Sequence, residues 1–318
     1  MDINRMRVDR WKQDVQLSVE MYNSWFFDSA PVAYRDSRIR VHSEVDALFK
    51  HTNNLRSVTP AEIIANPSLV GILRQVAAPP LARDRLAGLA GVSRTVVDRL
   101  EKGRIPQNLK AHELHAQIQS MINVVSRMAD RELFCWLDDQ RAPSQQELAV
   151  ARVVVADRRT GALSDPIIRN AQEARQITVL EKWLQKRGYT RLQLTAGTAP
   201  NKMQPGTYAI HQNIPVINAA GKRVNMPLDL VVQPLSVNAP SMPVLIEAKS
   251  AGDFTNTNKR RKEEATKLAQ LRSTYGKDTN LLLFLCGYFD TGYLGYEAAE
   301  GIDWVWEHRV EDLSLAGL

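Results

Sequence analysis

The sequence predicts an α+β or α/β chain, with a helical N-terminal domain followed by a mixed central sheet flanked by helices. Three observations lead there. Apolar residues recur at three- and four-residue spacings through the first 150 positions, which is the signature of helix faces. From about residue 160 a helical segment gives way to short apolar and β-branched runs, a charged helix and a last apolar run. That order predicts a mixed sheet with helices on both faces. The 318 residues also suit two domains of roughly 150 residues each, placed here at 1–150 and 151–318.

In the first domain, Val15, Val19, Met21, Tyr22 and the aromatic run 25–27 form one apolar helix face. Thr59-Pro60-Ala61-Glu62 reads as a helix start, with a capping residue, a proline at the first helical position and an acid in the first turn. Segment 83–104 has helix-turn-helix spacing. Leu86 and Ala87 lie on its first helix, Gly91 serves the turn, Ser93 caps the second helix, and Val97 and Leu100 pack inward. Helical patterns continue through 107–139, and 138–146, with Pro143 and Ser144, reads as a linker or a new helix cap.

In the second domain, Asp165-Pro166 predicts a helix start, with an apolar stripe at Ile168, Ala171, Ile177, Leu180 and Leu184 and a stop at Gly188. Strands are expected over 190–194, 207–216, 224–233 and 244–249. A charged helix follows over 256–275, then a buried strand over 280–286.

A net charge of +6 and a pI near 9.3 point to a polyanionic partner. Residues 1–150 carry 20 basic and 18 acidic side chains, but 79–110 alone holds seven basic against three acidic, and the second half holds 21 against 17. The excess is local, as binding sites require. No apolar run approaches the ~20 residues of a membrane helix, and the first residues lack the apolar stretch of a signal peptide. Two distant cysteines, Cys135 and Cys286, form neither a disulfide framework nor a thiolate cage, so a reducing cytoplasm is the expected location. There is no glycine-rich nucleotide loop. His112 and His115 lack a third ligand for zinc, and Cys286, Trp304 and Trp306 read as core.

Asp229 lies in MPLDLVVQ, and 18 residues later Glu247 and Lys249 lie in PVLIEAKS. Residues i and i+2 of a strand share a face, so Glu247 and Lys249 point the same way at the end of an apolar run. With Asp229 on the neighbouring strand, two carboxylates and an ammonium converge. Close carboxylates repel unless a cation neutralises them, and oxygen ligands suit Mg²⁺. Such an ion lowers the pKa of bound water and stabilises charge on a phosphoryl oxygen, while Lys249 orients or deprotonates the attacking water. The reading is metal-assisted phosphodiester hydrolysis, with Asp229 and Glu247 as metal ligands.

The basic run Lys259, Arg260, Arg261 and Lys262 follows directly and is suited to phosphate contact, while Asn258 either caps that helix or contacts DNA. In the first domain, the segment is either an ordinary helical hairpin or a DNA reader in which Arg94, Thr95 and Arg99, with the cap Ser93, are expected to meet a groove of double-stranded DNA, where arginine contacts guanine. These residues alone leave two alternatives open. One is a helix-turn-helix regulator that binds without cleaving, and the other is a structure-specific repair nuclease with the same centre.

Asp followed by Glu-x-Lys on adjacent strands is the arrangement of the PD-(D/E)XK nuclease core, here with Pro227-Leu228-Asp229 in place of adjacent Pro-Asp. The segments PPLARDRLAGLAG, DPIIRNAQE, MQPGTYA, LIEAKSAGDFTNTNKRRKEEATK and LFLCGYFDTGYLGYEAAEGIDWVWEHR, with the TPAEI and WLDD regions, closely resemble the SalI/XamI family of type II restriction endonucleases. The resemblance runs over most of the chain. It implies Mg²⁺-dependent cleavage of double-stranded DNA at a short palindrome, GTCGAC, with staggered ends. It also implies a homodimer and a cognate DNA methyltransferase as functional partner. Asp229, Glu247 and Lys249 carry over as the core residues. Glu173, on the helix before the sheet, is expected either to reach the metal site as in related cores or to pair with Arg169.

Overall fold

The computed structural model describes residues 2–195, 197–218, 220–236, 241–255 and 257–318, with backbone alone at 257–261. The chain divides into two compact units, one of Ala30–Ile168 and one joining Met1–Ser29 to Arg169–Leu318. The boundary expected near 150 instead falls inside a helix, Gln145–Lys186. Ser144 is that helix's cap, not a linker. Its Oγ accepts the Glu147 N–H at 3.2 Å, and its own N–H donates to Glu147 Oε2 at 2.7 Å. The helix then runs through Pro166, so Asp165-Pro166 starts nothing. A proline removes one N–H donor, and the rest of the helix carries the segment across it.

The Ala30–Ile168 unit is helical. It draws on α1 (Val8–His51), α2 (Pro60–Ala65), α3 (Leu69–Leu73), α4 (Arg83–Ala90), α5 (Arg94–Glu101), α6 (Ala111–Met128) and α7 (Gln145–Lys186). Phe49, Ile72, Leu100, Ile118 and Trp136 lie in its core. The α4–α5 pair has the expected turn chemistry. Gly91 takes φ 64°, Ser93 Oγ accepts the Thr95 N–H at 3.2 Å, and Val96, Val97 and Leu100 are buried. Glu101 fixes the end of α5 through ion pairs to Arg74 at 2.6 Å and Arg83 at 3.0 Å.

The other unit holds one six-stranded sheet: β1 (Thr190–Arg191), β2 (Thr207–Ile217), β3 (Arg223–Gln233), β4 (Val244–Ala251), β5 (Leu281–Gly287) and β6 (Asp303–Trp306), paired in that order. The pairs β2–β3 and β3–β4 are antiparallel, and β1–β2, β4–β5 and β5–β6 are parallel. Parallel neighbours need a crossover, and α8 (Thr257–Tyr275) and α9 (Thr291–Ala299) supply two. Side-chain alternation sorts the sheet into two faces. Leu245, Leu283, Leu285, Trp304 and Trp306 pack with Leu268 and Leu271 of α8 and with Tyr293 and Leu294 of α9. Ile246, Leu282, Phe284 and Val305 pack with Ile177, Leu180 and Leu184 of α7. Among the described residues no helix is long and apolar enough to cross a membrane.

The first residues belong to this sheet. Buried Asp303, which opens β6, accepts the backbone N–H groups of Ile3 at 2.6 Å, Asn4 at 2.9 Å and Arg5 at 3.0 Å. At the end of β5, Gly287 takes φ 100°, and a Cβ there would stand 2.1 Å from the Ala251 carbonyl oxygen, so only glycine fits.

Replacing Asp303 by alanine leaves those amides without partners. An orphaned buried donor costs about 1–3 kcal/mol, so Asp303→Ala should lower stability by about 3 kcal/mol or more, read by urea unfolding followed through tryptophan fluorescence. A loss below about 1 kcal/mol would mean that the N-terminal segment is held by something else.

Candidate active site

Regular pairing of β3 with β4 covers Val232↔Val244, Val231↔Leu245 and Leu230↔Ile246 and then stops. Beyond that point a side chain makes the connection: Asp229 Oδ2 accepts the Ala248 N–H at 2.8 Å. Ala248 lies between Glu247 and Lys249, which share a strand face. On the other side of β3, the ladder with β2 pairs Ile210↔Leu230 and Gln212↔Leu228 but omits the step between them. His211 occupies that step with φ 51°, an uncommon conformation for a residue with a side chain. The strand's facing shifts by one residue there. Ala209 before the break and Ile214 and Val216 after it pack on the same face.

Glu173 of α7 reaches this break. Donor atoms of Glu173, His211 and Asp229 all lie within 4.8 Å of one another, with His211 Nδ1 3.7 Å from Glu173 Oε1. Glu173 thus stands beside Asp229. Arg169, Glu173 and Lys249 line one cleft of about 200 Å³. Gln176, one turn along α7 from Glu173, donates to the carbonyls of Lys249 at 3.3 Å and Phe284 at 3.2 Å, fixing β4 and β5 beneath the cleft.

Glu247 is 6% exposed. Its Oε1 accepts from Lys249 Nζ at 3.0 Å and from Lys267 Nζ at 2.5 Å, while its buried Oε2 has no hydrogen-bond partner among the described residues. Burial first, then the Glu247 and Glu173 carboxylates, push the Asp229 carboxyl up to about 6, against the opposing pull of the Ala248 N–H and Lys249. Burial works against the Lys249 ammonium, but the carboxylates of Glu247 and Glu264 outweigh it and raise its pKa. Without a metal the Lys249 ammonium form is thus favoured, and in that form the side chain orients and donates. A divalent cation fits this donor set on two grounds: carboxylates crowd Asp229, and one Glu247 oxygen is buried without a partner.

The remaining expected residues lie elsewhere. Ser93 caps α5, and Arg94, Thr95 and Arg99 are exposed in the helical unit, Arg94 Nε paired with Asp84 at 2.9 Å. Arg99 borders an open cleft of about 640 Å³ with Lys102 and Arg104. Lys262 is exposed on α8. The side chains of Asn258, Lys259, Arg260 and Arg261 lie outside the described residues. Sequence reasoning missed three members of the site. A lone histidine in a strand pattern carries no signal for His211. Glu264 and Lys267 were hidden in a charged run, although Glu264, Leu268 and Leu271 stand at helical spacing and so share one buried stripe.

The model of the XamI restriction endonuclease family matches residues 53–306. The chain is 50% identical over 317 residues to the type II restriction enzyme SalI of Streptomyces albus G, covering 99% of each. No solved structure matches it. The match takes in most of the helical unit and the strands that carry Asp229, Glu247 and Lys249, and it bears out the resemblance seen in the sequence: the chain belongs to the XamI restriction endonuclease family.

Proposed function

We propose that this chain hydrolyses both strands of duplex DNA at a short palindrome through a Mg²⁺-dependent PD-(D/E)XK centre formed by Asp229, Glu247, Lys249 and Glu173. The chain is a type II restriction endonuclease and DNA is its substrate. The assignment of the centre rests on one observation, the hydrogen bond that docks Asp229 on the amide between Glu247 and Lys249.

Asp229, Glu173 and the unpartnered Oε2 of Glu247 are the oxygens that would hold Mg²⁺, with His211 beside Asp229 and Glu173. Mg²⁺ bound there supplies a Lewis acid for the phosphoryl oxygen and lowers the pKa of a bound water. Lys249, charged and directed by Glu247, donates to the attacking water or the scissile phosphate and offsets the charge that builds on it. Arg94, Thr95 and Arg99, with Ser93 at the start of α5, contact a DNA groove. Lys259, Arg260, Arg261 and Lys262 are the candidates for phosphate contact, and Asn258 for a cap of that helix or a DNA contact. Family membership supports GTCGAC as the site, and a two-fold homodimer reads such a palindrome identically in both halves. Each protomer then cuts one strand, leaving staggered ends. A cognate methyltransferase protects the cell's own copies of the site in the cytoplasm.

Glu247→Ala and Lys249→Ala should each abolish plasmid cleavage in Mg²⁺ while site-specific binding, assayed in Ca²⁺, survives. Full-rate cutting by either variant removes that residue from the centre. Arg94→Ala and Arg99→Ala should leave the melting temperature within a few degrees and weaken DNA binding. A base-reading arginine is worth about 1–3 kcal/mol of discrimination, whereas a phosphate contact mainly lowers the salt slope. Unchanged affinity, salt dependence and cutting pattern in both variants would reduce α5 to scaffold.

Asp229 also predicts a trade of stability against activity. Its folded pKa, near 6, exceeds its ordinary value of 3.8, so its ionisation destabilises the metal-free fold above about pH 6. That cost fades as the pH falls toward 4. In EDTA at pH 8, Asp229→Asn should gain about 1–3 kcal/mol in urea unfolding, with most of the gain gone at pH 4, and the variant should not cut. A variant less stable than the parent at pH 8 would mean that Asp229 supports the fold through its charge.

A further inference from the structure

Lys249 meets a second carboxylate besides Glu247. Glu264 Oε1, from α8, stands 3.6 Å from Lys249 Nζ, and the Glu264 side chain is 0% exposed. Its other oxygen accepts the Tyr293 hydroxyl of α9 at 2.6 Å. Glu297, one turn further along α9, is also buried. Its carboxyl is pushed up to about 9, by burial first and then by the Glu264 carboxylate, which keeps it neutral beside Glu264. Glu247 and Glu264 thus both stand against Lys249, and Lys267 joins them on the same oxygen of Glu247.

Leu268 and Leu271 on the same stripe mark position 264 as a core position. A fold has no structural need to bury a charge where an apolar side chain would pack, and perturbed ionisable groups gather where chemistry requires them. Lysine is a point charge on a flexible four-carbon stem. Glu247, two residues away on the same strand, constrains that charge from one side only. Glu264 approaches from a different helix, and Tyr293 fixes Glu264 from a third element.

We propose that Glu264, oriented by Tyr293, is a positioning residue for DNA cleavage that holds the Lys249 ammonium in its working place. The proposal rests on Lys249 belonging to the catalytic centre, as argued above.

Glu264→Gln tests it, because the amide keeps the shape and an acceptor for Tyr293 but loses the charge. The readouts are single-turnover plasmid cleavage in Mg²⁺, binding of a GTCGAC duplex in Ca²⁺ and the melting curve of the full chain. Residues that orient a catalytic group typically change activity by about 10–100-fold. The expected result is a rate lower by about that factor, with duplex affinity within about twofold of the parent and an intact fold. Tyr293→Phe, which spares the charge, should slow cleavage less. A merely structural role would instead lower the melting temperature and weaken duplex binding together with the rate. Parental cleavage by Glu264→Gln, with Lys249→Ala inactive, overturns the positioning role and leaves the catalytic centre standing. Parental cleavage by Lys249→Ala overturns both. If Glu264→Gln does not fold, Tyr293→Phe decides: a parental rate overturns the proposal and a slowed rate with intact binding supports it.

Discussion

An antiparallel ladder continued one step past Leu230↔Ile246 would set Asp229 directly across from Glu247. Like charges in that relation destabilise a sheet, and burial sharpens the conflict because the charges are poorly screened. The ladder stops instead. Asp229 spends its carboxylate on the Ala248 amide, which satisfies a backbone donor that the interrupted pairing leaves without a strand partner. The same interruption parts β3 from β4 beyond this point, while β3 stays paired with β2 and β4 with β5. Glu173, His211 and Asp229 can then gather, and Glu247 is left facing two lysines. The local break in pairing is what makes room for the proposed centre.

Around that break the charges are sorted. On one side stand the oxygens of Glu173 and Asp229 with the His211 ring, where burial first and then neighbouring carboxylates raise the proton affinity of Asp229. On the other, Lys249 and Lys267 share a single oxygen of Glu247, and Glu264 closes the group. Glu247 lies between, one oxygen neutralised and the other open. A carboxylate divided in this way is prevented by its lysines from rotating freely, so its second oxygen keeps one direction. The arrangement presents a preformed set of donors at little further entropic cost, which is the condition for charge stabilisation in a transition state.

How much of this was legible depends on how local each cause was. Glu247 and Lys249 could be placed on one face because strand periodicity is a property of the chain itself. The turn at Gly91 and the cap at Ser93 were readable for the same reason. His211 was not, since its left-handed backbone answers to the strands on either side and a histidine in TYAIHQNIPV gives no local sign of it. Pro166 misled in the opposite direction: a proline's preference for a helix start was overridden by packing along α7. The short β6 was missed because four residues of tryptophan, valine and aspartate carry too little pattern. The joining of Met1–Ser29 to the sheet depends on Asp303, and no window of sequence spans that distance.

The contact between Asp303 and Ile3 closes a loop of 300 residues, and this has a consequence for synthesis. Domains tend to fold as units, N-terminal first, while the chain is still emerging, and Ala30–Ile168 is complete long before the sheet. The amides of Ile3, Asn4 and Arg5 must wait for β6, the last strand of the sheet, before they find their partner in Asp303. A chain halted between Lys267 and Asp303 already contains Asp229, Glu247, Lys249 and Glu173 but lacks the strand that anchors its own beginning. The unit that carries the proposed centre therefore closes only after β6 has been made, well after Ala30–Ile168 is complete.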